Sequence, residues 1–170
     1  MIESAAAGSW KRVESALREI DALAPVAANA ESPLVASGAE AIDRGDYGDA
    51  ASTLRRATAR APDDWRAWSA LGYALLRLND LDGAKQALMR SLRLRPQNAA
   101  AWSHLGEILA LQDNPAASAA TLRLAVYFST QRPRTLAHLR ATPRTLIPPE
   151  FQAVIRDQGS ALDHLPERKP

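Results

Sequence analysis

Apolar residues recur with helical spacing along the stretch from Trp65 to Asn98. The first half of this stretch places them at i, i+3, i+4 and i+7, which is one face of an α-helix: Trp68, Leu71, Gly72 and Leu75. The dipeptide Asn79-Asp80 interrupts the pattern, since asparagine tolerates the left-handed conformation that ends a helix. The pattern then resumes with Ala84, Ala87, Leu88, Ser91 and Leu92, and Pro96 closes it. This stretch therefore predicts two amphipathic helices joined by a tight turn.

The same pattern recurs in phase on both sides of this stretch. The copy before it carries Leu34, Gly38, Ala50, Leu54, Ala57 and Pro62 at matching offsets. The copy after it carries Trp102, Leu105, Gly106, Ser118, Leu122 and Ala125. Three copies without a gap, at 31–64, 65–98 and 99–132, indicate a repeat architecture, in which each helical pair buries its apolar face against its neighbours.

The spacing and the residues at these offsets resemble the tetratricopeptide repeat (TPR). The third copy departs from the family pattern, with Ser118 in place of the usual alanine, Pro115 opening the second helix and Thr130 where a proline is expected. The resemblance implies an all-α fold, a right-handed α-solenoid of three helix pairs.

Both ends of the chain are predicted to cover this stack. Residues 1–30 hold an N-terminal capping helix, whose apolar stripe begins at Trp10, followed by a linker. Residues 133–170 are interpreted as a degenerate pair of capping helices with a frayed tail. The last of these helices, Pro149 to Leu165, has an apolar side, and we hypothesise that it folds into the groove of the stack.

Composition and charge restrict the classes of protein and the compartment. The absence of cysteine excludes disulfides and thiolate metal sites. The net charge of +2 is too small to imply a nucleic-acid partner by itself. No apolar run approaches the length of a transmembrane helix. The N-terminus has no apolar signal-peptide core, which predicts a cytoplasmic protein, or a periplasmic one if a leader was removed.

The sequence contains no recognisable motif for catalysis or metal binding. The sequence has no glycine-rich phosphate loop and no serine elbow. The histidines His104, His138 and His164 lie far apart, and the best local pair, His104 with Glu107, supplies only two of the ligands that zinc needs. We therefore expect no enzymatic activity, no cofactor and no metal.

A groove for a partner is the functional feature that the resemblance implies. In TPR proteins the first helices of successive repeats line a concave groove, and the matching positions include Val35, Ile42, Asp43, Arg66, Ser69, Tyr73, Arg77, Ser103, Glu107 and Leu111. Arg66, Tyr73 and Arg77 combine an aromatic ring with two planar cations, the residue types enriched at binding hot spots. The alternative is that Tyr73 packs on the next repeat and the arginines only solvate the helix face.

The chemistry of this groove predicts the kind of partner. TPR domains that hold the C-terminal carboxylate of heat-shock chaperones use Lys, Asn and Arg at positions that carry Val35, Ala39, Ala100 and His104 here, so that clamp is absent. The mixed groove suits a protein or peptide ligand with apolar anchors and an acidic residue near its middle. A basic run from Arg123 to Arg144 is interpreted as a solvated face, so nucleic acid is an unlikely partner.

The leading functional hypothesis is a non-catalytic adaptor or scaffold that holds a segment of another protein. Two alternatives stay open. Bacterial secretion chaperones with three such repeats resemble this chain in size and layout, which suggests a chaperone for an exported or assembled client. A self-assembling scaffold subunit is the other, because repeat stacks associate through imperfect caps.

Overall fold

The computed structural model describes residues 32–129, which form six α-helices and no strand. In chain order they are α1 (Pro33–Asp43), α2 (Tyr47–Arg60), α3 (Trp65–Arg77), α4 (Leu81–Leu94), α5 (Ala99–Leu111) and α6 (Pro115–Phe128). The predicted capping helices at 1–30 and 133–170, and Thr130 as the last departure from the pattern, lie outside the described residues.

The six helices are arranged as three consecutive pairs. Within each pair the two helices pack on each other, and α2 and α4 also pack on the first helix of the pair that follows. The first helices contact one another as well, α1 with α3 and α3 with α5. They therefore form the inner layer of the stack, and α2, α4 and α6 form its outer layer. The predicted all-α solenoid is confirmed.

Residues in the left-handed conformation make the turn within each pair. Gly45, Asn79 and Asp113 have φ values of 81°, 62° and 54°. Glycine and short polar residues adopt this conformation at low cost, which explains why the helical pattern stops at these places. The next helix starts at once, because Asp80 accepts a hydrogen bond from the Gly83 amide at 3.0 Å.

A glycine in each first helix packs against a leucine in the second helix of the same pair. A Cβ atom at Gly38 or Gly72 would lie 2.6 Å from Leu54 or Leu88, and one at Gly106 would lie 2.7 Å from Leu122. The leucines are at most 1% exposed. The two helices therefore approach closely in all three pairs, and the contact leaves no room for a side chain at these glycines.

Hydrogen bonds to backbone carbonyls hold the connections between successive pairs. The indole N–H groups of Trp68 and Trp102 donate to the carbonyls of Pro62 and Pro96, at 2.9 and 2.7 Å. Both prolines lie in the connection that precedes the tryptophan helix, so each tryptophan fixes the entry of its own pair. An indole N–H that is removed from water needs such an acceptor.

Ser118, where the family pattern has alanine, is fully buried in the third pair. Its hydroxyl donates to the carbonyl of Gly106 at 2.8 Å, which joins α6 to α5. The hydroxyl is thus satisfied in the place of a methyl group, and this departure from the pattern is compatible with the same packing.

Candidate functional site

Three aromatic rings, one from each helix pair, form a continuous row on the molecule. Tyr73 of α3 lies between the other two rings. Its centroid is 6.2 Å from that of Tyr47, at the start of α2, in an edge-to-face arrangement. On the other side it is 4.7 Å from the His104 ring of α5, tilted by 36°. Such ring pairs are favourable, and we call this set the aromatic row.

Charged groups flank the aromatic row at both ends. The guanidinium carbon of Arg77 lies 5.4 Å from the Tyr47 ring centre, a cation–π contact. At the other end, Nδ1 of His104 is 3.7 Å from Oε1 of Glu107, and both side chains are 15% exposed. The row therefore presents a cation at one end and a carboxylate at the other.

The protonation states along the row follow from burial and hydrogen bonding. Burial is the largest cause that raises the pKa of Tyr73, while the charge of Arg77 acts in the opposite direction. Hydrogen bonding with the Tyr47 side chain is the largest cause that raises the pKa of Arg77. At neutral pH Tyr73 is consequently a neutral hydroxyl and Arg77 a cation.

Arg66 is predicted as a second groove cation, but its side chain is hydrogen-bonded to the residue that caps the N-terminus of its own helix. Its Nε donates to Oδ1 of Asp64 at 3.1 Å, and its backbone amide donates to the same oxygen at 3.0 Å. The Asp64 side chain is 4% exposed. Since this carboxylate caps α3 and balances the guanidinium, the charge of Arg66 is offset within the fold.

The structure places the other predicted groove residues at different depths. Asp43 and Leu111 are exposed, and Ile42 and Ser69 are half-buried. Val35 is 5% exposed and packs with Ala57 and Ala67. Ser103 is 4% exposed. Val35 and Ser103 are therefore largely covered by their neighbours, whereas Asp43 and Leu111 are accessible from the solvent.

Tyr47 was not among the predicted groove residues, and His104 was considered only as a metal ligand or a clamp position. Tyr47 is the first residue of a second helix, whereas the prediction covered the first helices alone. Including the first turn of each second helix would have found it. Leu78, 47% exposed after the last residue of α3, also lies beside Arg77 in the sequence.

Residues 32–129 carry neither a cluster of metal ligands nor a helix suited to span a membrane. That segment contains no group of three or more His, Cys, Asp or Glu side chains placed to hold a metal ion. None of its helices has the length and apolar character to cross a bilayer.

Residues 41–108 match the family model of the tetratricopeptide repeat. In fold the chain is similar to a structure of the Yersinia enterocolitica type III secretion chaperone SycD in complex with a peptide of the translocator YopD. The two share 17% identity and a TM-score of 0.59, over 73% of this chain and 92% of that one. A structure of the same chaperone as an alternative dimer gives 16% identity and a TM-score of 0.59, over 75% and 92%. No curated protein matches the sequence.

The stacked helix pairs and the row of side chains across them define a helical repeat protein. The repeat length, the paired glycine and leucine positions and the family match identify its type. Residues 41–108 therefore carry tetratricopeptide repeats, and the described helix pairs have the corresponding fold.

Proposed function

We propose that the protein is a non-catalytic adaptor that holds a segment of a partner protein on the inner layer of its helix pairs. The observation that carries this proposal is the aromatic row, because it runs across all three pairs and has charges at both ends. Tyrosine and arginine are enriched among the few residues that supply most of the binding energy at interfaces.

The neighbouring side chains support a segment with both apolar and acidic residues. Exposed Leu111 and half-buried Ile42 are contacts for apolar anchors. Arg77 is the cation for an acidic residue, because the charge of Arg66 is offset by Asp64. Asp43 lies on α1 next to Ile42, and Glu107 lies on α5 with Leu111. Their carboxylates would repel a uniformly acidic segment, so a segment with one acidic residue among apolar ones fits best.

Affinity capture from native lysate tests the proposal with the double variant Tyr73→Ala, Arg77→Ala. We expect the wild type to retain a defined partner and the variant to lose it by about tenfold or more, since two anchors are removed. Arg44→Ala is the control, because Arg44 is exposed and pairs with its neighbour Asp46, outside the aromatic row. Circular dichroism establishes that all three proteins are folded. Equal capture by all three would contradict the proposal.

A chaperone for a dedicated client is the second candidate function. The structure of SycD with a translocator peptide supports this candidate, because the similarity in fold extends over almost the entire SycD chain. A chaperone of this kind keeps its client soluble during co-expression, whereas an adaptor does not change the client's solubility. The soluble fraction of the captured partner, with and without this protein, distinguishes the two functions.

A further inference from the structure

Six exposed arginines lie on the outer layer of the stack, away from the aromatic row. They are Arg55, Arg56, Arg60, Arg90, Arg93 and Arg123, and together they are called the arginine face. Arg56, Arg60, Arg90 and Arg93 lie on the sides of α2 and α4 that face away from the buried Leu54 and Leu88. Arg55 and Arg123 directly follow the buried Leu54 and Leu122 and lie at the edge of the exposed side. The arginine face therefore extends over all three pairs.

Within their own helices, the arginines of this face lack the acidic neighbours that usually stabilise an exposed helix. Such neighbours stand three or four residues away along the helix. Around Arg55 and Arg90 these places hold alanine, serine, threonine, glutamine, leucine or another arginine. Two pairs even repel, Arg56 with Arg60 and Arg90 with Arg93. Among residues 32–129, none of the six takes part in an ion pair.

Acidic residues are present on the outer helices but are confined to their beginnings. Asp49 and Asp82 each lie in the first turn of α2 or α4, where a negative charge stabilises the helix dipole. The remaining length of both helices carries only basic charges. The helix dipole accounts for Arg60 and Arg93, which lie in the last turns of α2 and α4. It does not account for Arg56 and Arg90, which stand one turn earlier and repel these two residues. A bound anion would offset this repulsion.

The other side chains of this surface indicate which kind of anion fits. Met89 is 40% exposed and lies next to Arg90 in the sequence. Methionine and arginine together are enriched in protein–protein interfaces. Nucleic acid is less suitable, because the aromatic residues of α6, Tyr127 and Phe128, are each 2% exposed and offer no ring for base stacking.

We propose that the arginine face binds an acidic segment of a second protein, with an apolar side chain of that segment placed on Met89. This surface is separate from the inner layer, so the protein can hold two partners or two segments of one partner. Guanidinium groups suit carboxylates because their planar donors form paired hydrogen bonds.

Fluorescence anisotropy with a labelled twelve-residue probe peptide tests this proposal. The probe contains ten glutamates around a central leucine and phenylalanine. We expect Arg90→Gln, Arg93→Gln to weaken binding by about tenfold or more, because two charge-assisted contacts are lost. Arg90→Lys, Arg93→Lys keeps the charge and should recover part of the affinity. The matched control is Arg44→Gln, Arg95→Gln, which removes the same charge from two turns outside the arginine face and the aromatic row and should leave probe binding unchanged.

Other ligands of the arginine face, and a non-specific effect of charge, would each give a different result in these experiments. Equal weakening in both glutamine double variants would show a non-specific charge effect and overturn the proposal. Tighter binding of a single-stranded DNA twelve-mer, or of vesicles with anionic lipid, than of the peptide would overturn the partner class. An oligomer in light scattering that dissociates in Arg90→Gln, Arg93→Gln would assign the face to a second copy of this chain instead.

Discussion

Single residues set the distance between the two helices of each pair. At Gly72 a Cβ atom would lie 2.6 Å from Leu88 and 3.3 Å from the carbonyl of Ala84. One of these neighbours is backbone, so it cannot move aside as a flexible side chain can. The glycine is therefore required by packing, although glycine lowers the intrinsic stability of a helix.

Gly72→Ala should lower the free energy of unfolding by about 1–3 kcal/mol, because the added methyl group overpacks the contact with Leu88. Gly48→Ala is the control, since no heavy atom lies within 4 Å of its Cβ position. That change should be neutral or stabilise by up to about 1 kcal/mol through helix propensity. Denaturant unfolding followed by circular dichroism measures both. Equal effects of the two changes would mean that the close approach does not limit the packing.

Individual helices differ in how their surface charges are arranged. On the inner helices, Arg66 pairs with Asp64, and His104 lies near Glu107. The outer helices carry arginines without acidic neighbours. This difference has a measurable consequence for stability, because a single acid placed four residues before an arginine should be favourable.

Gln86→Glu should stabilise α4, since it places a carboxylate four residues before Arg90 without changing side-chain size. The expected gain is about 0.3–0.5 kcal/mol, a salt-dependent amount typical of such a pair. Thermal unfolding at low salt measures it, and the gain should vanish in 1 M salt. Gln86→Lys is the matched control and should be destabilising. If both changes have the same sign, the charges of the arginine face do not interact along α4.

At the scale of the whole molecule, the middle pair connects the other two. The first helix of this pair, α3, contacts both α1 and α5, and Trp68, Leu71 and Leu88 belong to one apolar cluster with residues of all three pairs. A stack of this kind gains its cooperativity from contacts between neighbouring pairs. A destabilising substitution in the middle pair should therefore affect more helices than one in a terminal pair.

Leu88→Ala should destabilise the protein by about 2–5 kcal/mol, as expected for a cavity at a fully buried leucine. We also expect reduced hydrogen-exchange protection in all six helices. Leu54→Ala, at the equivalent buried position of the first pair, should reduce protection mainly in α1, α2 and α3. Identical exchange patterns in the two variants would indicate a single cooperative unit without nearest-neighbour behaviour.

The sequence by itself determined the repeat, the helices and their turns. The period of the apolar residues sets which face of each helix is buried, and residues such as Asn79 stop a helix by their own backbone preference. These are local properties, repeated three times, so the paired glycine and leucine contacts could be predicted from spacing alone. The same information placed Tyr73 and Arg77 on one helix face.

The tertiary structure decided which polar and aromatic side chains meet. Tyr47, Tyr73 and His104 come from three different pairs, and their contact depends on how the pairs are rotated in the stack. The same packing buries Val35 on Ala67 of the next pair. It also brings the carboxylate of Asp64 to the guanidinium of Arg66. Helical periodicity assigns a residue to a face, whereas the contacts made by that face depend on the neighbouring pair.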